Sequence, residues 1–154
     1  MIQIYTHPAC LAHDPGDGHP ESPSRLRAVL RALESAHPDL DWQQAPCVSR
    51  GQLLRVHDAE LIDLVLSSAD ALPKSLDPDT RLSAGSSEAA LRAAGACVAA
   101  VDAVLYGHAQ RAFCAVRPPG HHATTNAAMV ICIFNNVAIA ARHAIDKHGL
   151  ERVA

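Results

Sequence analysis

Apolar positions recur along this chain at two spacings, and the points where one spacing gives way to the other predict its elements. Ile2-Gln3-Ile4-Tyr5 alternates at a period of two, as a strand does, and the Pro- and Gly-rich stretch from His7 to Glu21 predicts a loop. Ser22 stands where an N-cap belongs, Pro23 takes the first helical position, and Leu26, Val29, Leu30 and Leu33 return at helical spacing on one face. Asp41 to Ala45 is a short strand candidate. Ser49-Arg50-Gly51-Gln52 and Asp58-Ala59-Glu60-Leu61 each have the form of a helix start, the second leading into Leu61, Ile62, Val65 and Leu66 on one face. Two prolines and several polar residues assign Ala69 to Ser83 to a surface loop. Gly85 to Tyr106 is Ala-rich, contains Gly95 and is followed by Gly107, which predicts a helix whose small-residue face lies close to a neighbour. Ala112-Phe113-Cys114-Ala115-Val116 is almost wholly apolar and predicts a strand buried on both faces of a parallel sheet. Asn135 caps a last helix through Val137, Ile139, Ala140 and Ala144 to Gly149, and Arg152-Val153-Ala154 has the pattern of a further strand's first residues.

Strands alternating with helices predict an α/β domain on a parallel sheet. At 154 residues and 49% hydrophobic, the chain has apolar material for a single core, so it is one domain or part of one. A net charge of -3 supplies no basic field, which excludes direct nucleic-acid binding as the expected function. The five cysteines are scattered, odd in number and never in a Cys-x-x-Cys pair, so reduced thiols are expected rather than a disulfide framework or zinc knuckle. No cationic leader precedes an apolar stretch and no apolar run is long enough to span a bilayer; the expectation is a soluble, cytoplasmic protein without a membrane partner.

The chemistry concentrates in Arg117-Pro118-Pro119-Gly120-His121-His122-Ala123, at the carboxyl end of the apolar strand, where sites of parallel α/β sheets form. Two prolines stiffen the approach and Gly120 permits close backbone passage, as holding two imidazoles in fixed orientation requires. Imidazole titrates near neutrality, so an adjacent pair can divide the roles of general base and acid or electrostatic partner. The alternative is a rigid loop carrying two solvated histidines, since the chain has ten histidines in all. His57 and Asp58 are adjacent on a helix start and point apart, so both read as structural, Asp58 as a cap. His7, His13 and His19 sit in the Pro- and Gly-rich loop without preset geometry and read as solvated. Cys132 reads as a packed wall residue, with no base beside it to make it a nucleophile.

The block from Arg117 to Ala123, with Met129 and then Cys132-Ile133-Phe134-Asn135-Asn136-Val137-Ala138-Ile139-Ala140, resembles the histone deacetylase and acetylpolyamine amidohydrolase family, in its bacterial, class II-like branch. His19-Pro20-Glu21-Ser22-Pro23-Ser24-Arg25-Leu26 is similar to that family's first loop and helix start. Asp77-Pro78-Asp79-Thr80 with Gly85-Ser86-Ser87-Glu88-Ala89-Ala90 is similar to its substrate loop and the helix after it, so the resemblance spans nearly the whole chain. It implies an arginase/deacetylase-type parallel sheet with flanking helices, incomplete in this chain, with residues 1–154 forming the N-terminal part of one deacetylase domain. His121 and His122 match the tandem catalytic histidines that handle protons around a zinc-bound water. Asp79 falls near the loop aspartate that accepts hydrogen bonds from substrate, or is a turn carboxylate; Arg25 matches the arginine beside the inner cavity, or is a helix-surface charge.

Three departures bear on function. Between Met129 and Cys132 the family has Gly-Phe where this chain has Val130-Ile131, two residues that would line the acyl-lysine channel; Val adds bulk and Ile removes a flat aromatic wall. Thr124-Thr125-Asn126 also replaces the usual acidic and proline-containing residues. The larger departure is that the family's zinc ligands, an Asp-x-His and a later aspartate, and its oxyanion Tyr or His have no counterpart here, so no metal ligand is assigned. The resemblance therefore implies zinc-dependent hydrolysis of an acetyl amide on lysine or a polyamine in a complete protein. This chain alone is expected to be inactive, to hold no zinc tightly and to self-associate through its open sheet. The rival expectation is a non-catalytic relic or binding module on the same scaffold. A ureohydrolase on the same superfold would carry different histidine and aspartate motifs.

Overall fold

The computed structural model describes residues 1–67 and 73–154. Three strands form a parallel sheet in the order β2-β1-β5: β1 (Ile2–Thr6) lies between β2 (Asp41–Gln44) and β5 (Arg111–Cys114). Ile4 is in register with Trp42 on one side and Phe113 on the other. The chain runs from β1 through α1 (Ala9–Ala12) and α2 (Pro23–Ala36) to β2. It then passes α3 (Arg50–Leu53), α4 (Ala59–Ser67), the short antiparallel pair β3 (Lys74–Ser75) and β4 (Arg81–Leu82), and α5 (Ser86–Leu105) before reaching β5; α6 (Asn136–His148) follows. The β1-to-β2 connection lays α2 on one face of the sheet and the β2-to-β5 connection lays α5 on the other, so the segments that follow β1 and β5 meet at the carboxyl edge, where a crevice is expected.

Alternation along β1 decides which helix covers which face. Ile4 packs with Cys10, Leu26 and Ala115 beneath α2, whereas Tyr5 packs with Ala45, Ala96 and Ala103 beneath α5. A third cluster, built on Leu53, Ile62, Val65, Ala94, Phe134 and Ile139, joins α3, α4, α5 and α6. The small residues of α5 bring its backbone against the segment after β2: a Cβ on Gly95 would stand 2.0 Å from the Pro46 carbonyl oxygen. Ser49 closes a reciprocal capping box with Gln52, the Asn135 side chain accepts the Ala138 N–H, and Gly149 ends α6 in the left-handed conformation. Among the described residues no helix is long and apolar enough to cross a membrane.

Several expectations change. The segment from His7 to Glu21 is not all loop, since α1 turns within it. Ser22 precedes α2, but its hydroxyl pairs with Ser24 at 2.6 Å instead of capping. The strand expected over Ala112 to Val116 is Arg111–Cys114 and is not buried on both faces: Phe113 is 48% exposed, because α2 covers β1 and β2 and leaves β5, an edge strand here, uncovered on that side. Of the loop expected from Ala69 to Ser83, residues 69–72 lie outside those described; the remainder holds the β3–β4 pair and buries Thr80 and Leu82. Among the described residues Arg152, Val153 and Ala154 pair with no strand.

Candidate active site

The segment between β5 and α6 carries the tandem histidines, and its stem is held by buried polar groups. Arg117, at the stem's start, is 4% exposed. Its Nε donates to Glu21 Oε1 at 2.7 Å, its Nη2 donates to the other carboxylate oxygen, and its Nη1 reaches the carbonyls of Cys10 and His13, each at 2.8 Å. A bidentate Arg–carboxylate pair with its spare donors on backbone carbonyls satisfies both buried charges. His13 completes the group, its Nδ1 2.7 Å from Ser86 Oγ and its Nε2 3.3 Å from Glu21 Oε2. Burial alone would raise the Glu21 pKa, but the hydrogen bonds from His13 and Arg117 and the guanidinium charge outweigh it and hold the carboxyl at about 2. His13 is thus a buried member of this network and not a solvated loop histidine. The reason is spatial: α1 and the N-terminus of α5 close over it.

The next residues lie on the N-terminus of α6. The Arg117–Pro118 peptide bond is cis, and the Gly120 carbonyl accepts the Val137 N–H at 3.1 Å. A Cβ at Gly120 would meet Asn136 side-chain atoms at 2.3 and 2.4 Å, so glycine is required for this approach. His57, 2% exposed, ties the loop's descending arm. Its Nδ1–H donates to the Thr124 carbonyl at 2.9 Å and its Nε2 accepts the Asn135 N–H at 2.9 Å, which fixes a neutral ring in one tautomer. Burial lowers its pKa, against the raising effect of the Thr124 and Thr125 backbone and of Asp58. The Asp58 N–H donates to the Thr125 carbonyl at 2.9 Å, and Asn135 Nδ2 to the Ala123 carbonyl at 2.9 Å. His57 and Asp58 therefore hold the loop from below.

Between these clamps His121 and His122 project outward. Both are exposed, their ring centroids are 4.2 Å apart at 60°, and neither ring makes a hydrogen bond among the described residues. Further on, Met129 and Cys132 bond each other through both backbone pairs at 2.9 Å, making a tight turn with Val130 at φ 46° and Ile131 at φ 60°. Left-handed conformation at both central residues suits Asn-Gly; two β-branched residues hold it against steric strain. The turn is gripped from the β3–β4 segment, where Asp77 Oδ2 accepts the Val130 N–H at 3.2 Å and Thr80 Oγ1 accepts the Ile131 N–H at 2.9 Å. Cys132 is fully buried behind it.

The structure brings the sequence-predicted residues together unevenly. Asp79 lies on the segment that grips the Val130-Ile131 turn, but the carboxylate touching the turn is Asp77; the Asp79 side chain is exposed and its carbonyl bonds His19 Nε2 at 3.1 Å. Arg25 lies at the rim of a cleft of about 200 Å³ with Arg117 and Pro119 at its wall; its side chain is 59% exposed and its guanidinium is 3.8 Å from Glu21. Glu21 and Asp77 were not singled out in the sequence. Their partners lie 96 and 53 residues away, a distance over which no local pattern reports. Among the described residues no third metal-capable side chain gathers with His121 and His122, so a catalytic zinc does not fit this chain's own residues.

Comparison with known proteins places this geometry. The sequence profile described as "Histone deacetylase domain" matches residues 19–154. The chain is similar to a "Histone deacetylase-like amidohydrolase" of Pseudomonas aeruginosa, 41% identical over 139 residues covering 89% of this chain and 37% of that protein. It is also similar to the human "Polyamine deacetylase HDAC10", 40% identical over 145 residues that cover 86% of this chain and 21% of the relative. Among solved structures, the crystal structure of the HDA15 HD domain superposes with a TM-score of 0.89 at 33% identity, covering 93% of this chain and 42% of that one. The chain thus spans about half the length, or less, of the relatives it matches.

Proposed function

Because this chain belongs to the histone deacetylase family, we propose that it forms the N-terminal part of one deacetylase domain and carries the proton-handling half of an amidohydrolase site. The supporting observation is the pair of imidazoles at His121 and His122, 4.2 Å apart on a stem clamped by Arg117, Glu21 and His57. A neutral imidazole placed beside an attacking water accepts its proton, and the second ring, protonated, steadies the developing oxyanion or returns a proton to the leaving amine. The substrate class is an acetyl amide on lysine or on a polyamine. Val130, Ile131 and Asp79 belong to the substrate channel and Arg25 to the cavity beneath. Zinc dependence is part of this proposal for a protein of the relatives' full length, where the metal would polarise the acetyl carbonyl; its ligands are not among the residues around His121 and His122. Five free thiols fit a reducing cytoplasm.

A second reading has its own support. With no ligand set at the histidine pair and a strained Val130-Ile131 turn in place of Gly-Phe, a non-catalytic relic or binding module would keep the scaffold without the reaction. The two are separated by an acetate-release assay on the chain as given and on a version extended to the relatives' length, each with an acetyl-lysine peptide and an acetylpolyamine. Turnover in the extended protein and none in the chain alone supports the first reading. None in either supports the second. Light scattering on the chain as given should show self-association through the open edge of β5.

A further inference from the structure

Three metal-capable side chains that no motif above includes converge where α5 and α6 end side by side. Asp102, in the last turn of α5, accepts hydrogen bonds on a single oxygen, Oδ1, from His143 Nε2 and His148 Nε2, both at 2.7 Å. The three candidate ligand atoms lie within 4.8 Å of one another. Gly149 closes α6 directly after His148, and Tyr106 packs edge-on against that ring with centroids 5.0 Å apart. Of the three only His143, 5% exposed, is buried, and its Nδ1 has no partner among the described residues.

We propose that Asp102, His143 and His148 form a binding site for a borderline divalent transition-metal ion, with zinc as the fitting member. Two imidazole nitrogens and one carboxylate oxygen suit such an ion better than magnesium or calcium, which take oxygen ligands. Ligand bonds of about 2.0–2.2 Å in a tetrahedral arrangement separate the donor atoms by roughly 3.4 Å. The two 2.7 Å contacts therefore need to open by about 0.7 Å, as each neutral ring carries its proton on Nδ1 in place of Nε2 and one cation takes the position of the two shared protons. The Asp102 side chain is 35% exposed, which gives the ion an entry path and leaves a fourth position for water. Such a site would staple the end of α5 to the end of α6. It goes beyond the deacetylase reading and does not depend on it, because His121 and His122 take no part and the family resemblance speaks only to catalytic ligands.

The test uses the full 154-residue chain, stripped of metal with a chelator and titrated with cobalt(II) followed by visible absorption, then with zinc as competitor. One cobalt per chain should bind with the visible bands of a low-coordinate nitrogen and oxygen site, and zinc should displace it. Asp102→Asn keeps a hydrogen-bond acceptor for both rings but loses the anionic ligand. It should weaken metal binding by more than the roughly 10–100-fold that loss of an outer-shell partner costs. His148→Ala, at the helix end where folding is least at risk, should do the same, and each variant's helical circular dichroism verifies its fold. A His121→Ala, His122→Ala double variant should bind metal as the parent does. No saturable binding, binding unchanged in folded Asp102→Asn or His148→Ala, or binding lost in the double variant instead would overturn the site.

Discussion

The stem and the tip of the loop between β5 and α6 are held in opposite ways. At the stem, Arg117, Glu21 and His57 are nearly inaccessible and matched donor to acceptor, so the backbone that presents His121 and His122 is set by buried charge and by glycine contact with α6. At the tip, Val130 and Ile131 are held in left-handed conformation, with the two grips from Asp77 and Thr80 opposing their own steric preference. The part of the loop that carries His121 and His122 is thus held by matched partners, whereas the part that carries Val130 and Ile131 is strained and open to improvement.

Removing one partner of the stem's ion pair should have the largest effect. Glu21→Ala leaves the Arg117 charge buried and unpaired and should cost about 3–5 kcal/mol in urea unfolding, a large share of a typical domain's stability. Glu21→Leu with Arg117→Met should recover much of that loss, since an apolar pair of similar volume is often neutral. A double variant as unstable as Glu21→Ala would show that the polar contacts to Cys10 and His13 matter more than the charge pairing.

Acid should open the stem next, in two windows. Stability held by the depressed Glu21 pKa is present above its unfolded value of 4.5 and lost as pH falls from there to about 2. His57, whose pKa is lowered by burial, is charged more readily in the unfolded chain, so its contribution falls as pH drops below 6.5. Protonation would also turn Nε2 from acceptor to donor against the Asn135 N–H. Unfolding free energy measured from pH 7 to 2 should decline in both windows. In His57→Gln the upper one should vanish; its persistence would locate that titration elsewhere.

The tip gives the smallest effect and the opposite sign. Left-handed backbone costs an ordinary residue about 1–2 kcal/mol, part of which glycine's greater unfolded freedom cancels. Val130→Gly should therefore stabilise the chain by about 1 kcal/mol and raise Tm by about 2–4 °C. In a version of the relatives' length, Val130→Gly with Ile131→Phe should also raise turnover of an acetyl-lysine substrate. Lower Tm and equal or lower turnover would count against both the strain and the channel assignment.

What the sequence could tell differs between these regions for a physical reason. Elements fixed by local chemistry were legible: the helical spacing of Leu26, Leu30 and Leu33, the capping box at Ser49, the Asn135 cap and the Gly149 stop all lie within a few residues of what they determine. That the tandem histidines follow β5 on a stiff loop was legible from the Pro-Pro-Gly before them, whereas their role was not, since a catalytic pair and two solvated rings fit the same residues. Contacts closed only by the fold were not: Glu21 on Arg117, His13 on Ser86 and Asp77 on Val130 join segments far apart in the chain. Exposure of Phe113 was hidden likewise, because apolar composition reports that a strand can be covered, not which neighbour covers it.

The proposed division of labour, in which His121 and His122 move protons and do not hold the metal, is decided by His122→Ala in a version of the relatives' full length, with zinc content and acetate release measured on the same sample. Turnover should fall by about 100-fold or more with zinc content equal to the parent's. Loss of zinc with little change in activity per bound metal would instead make His122 a ligand.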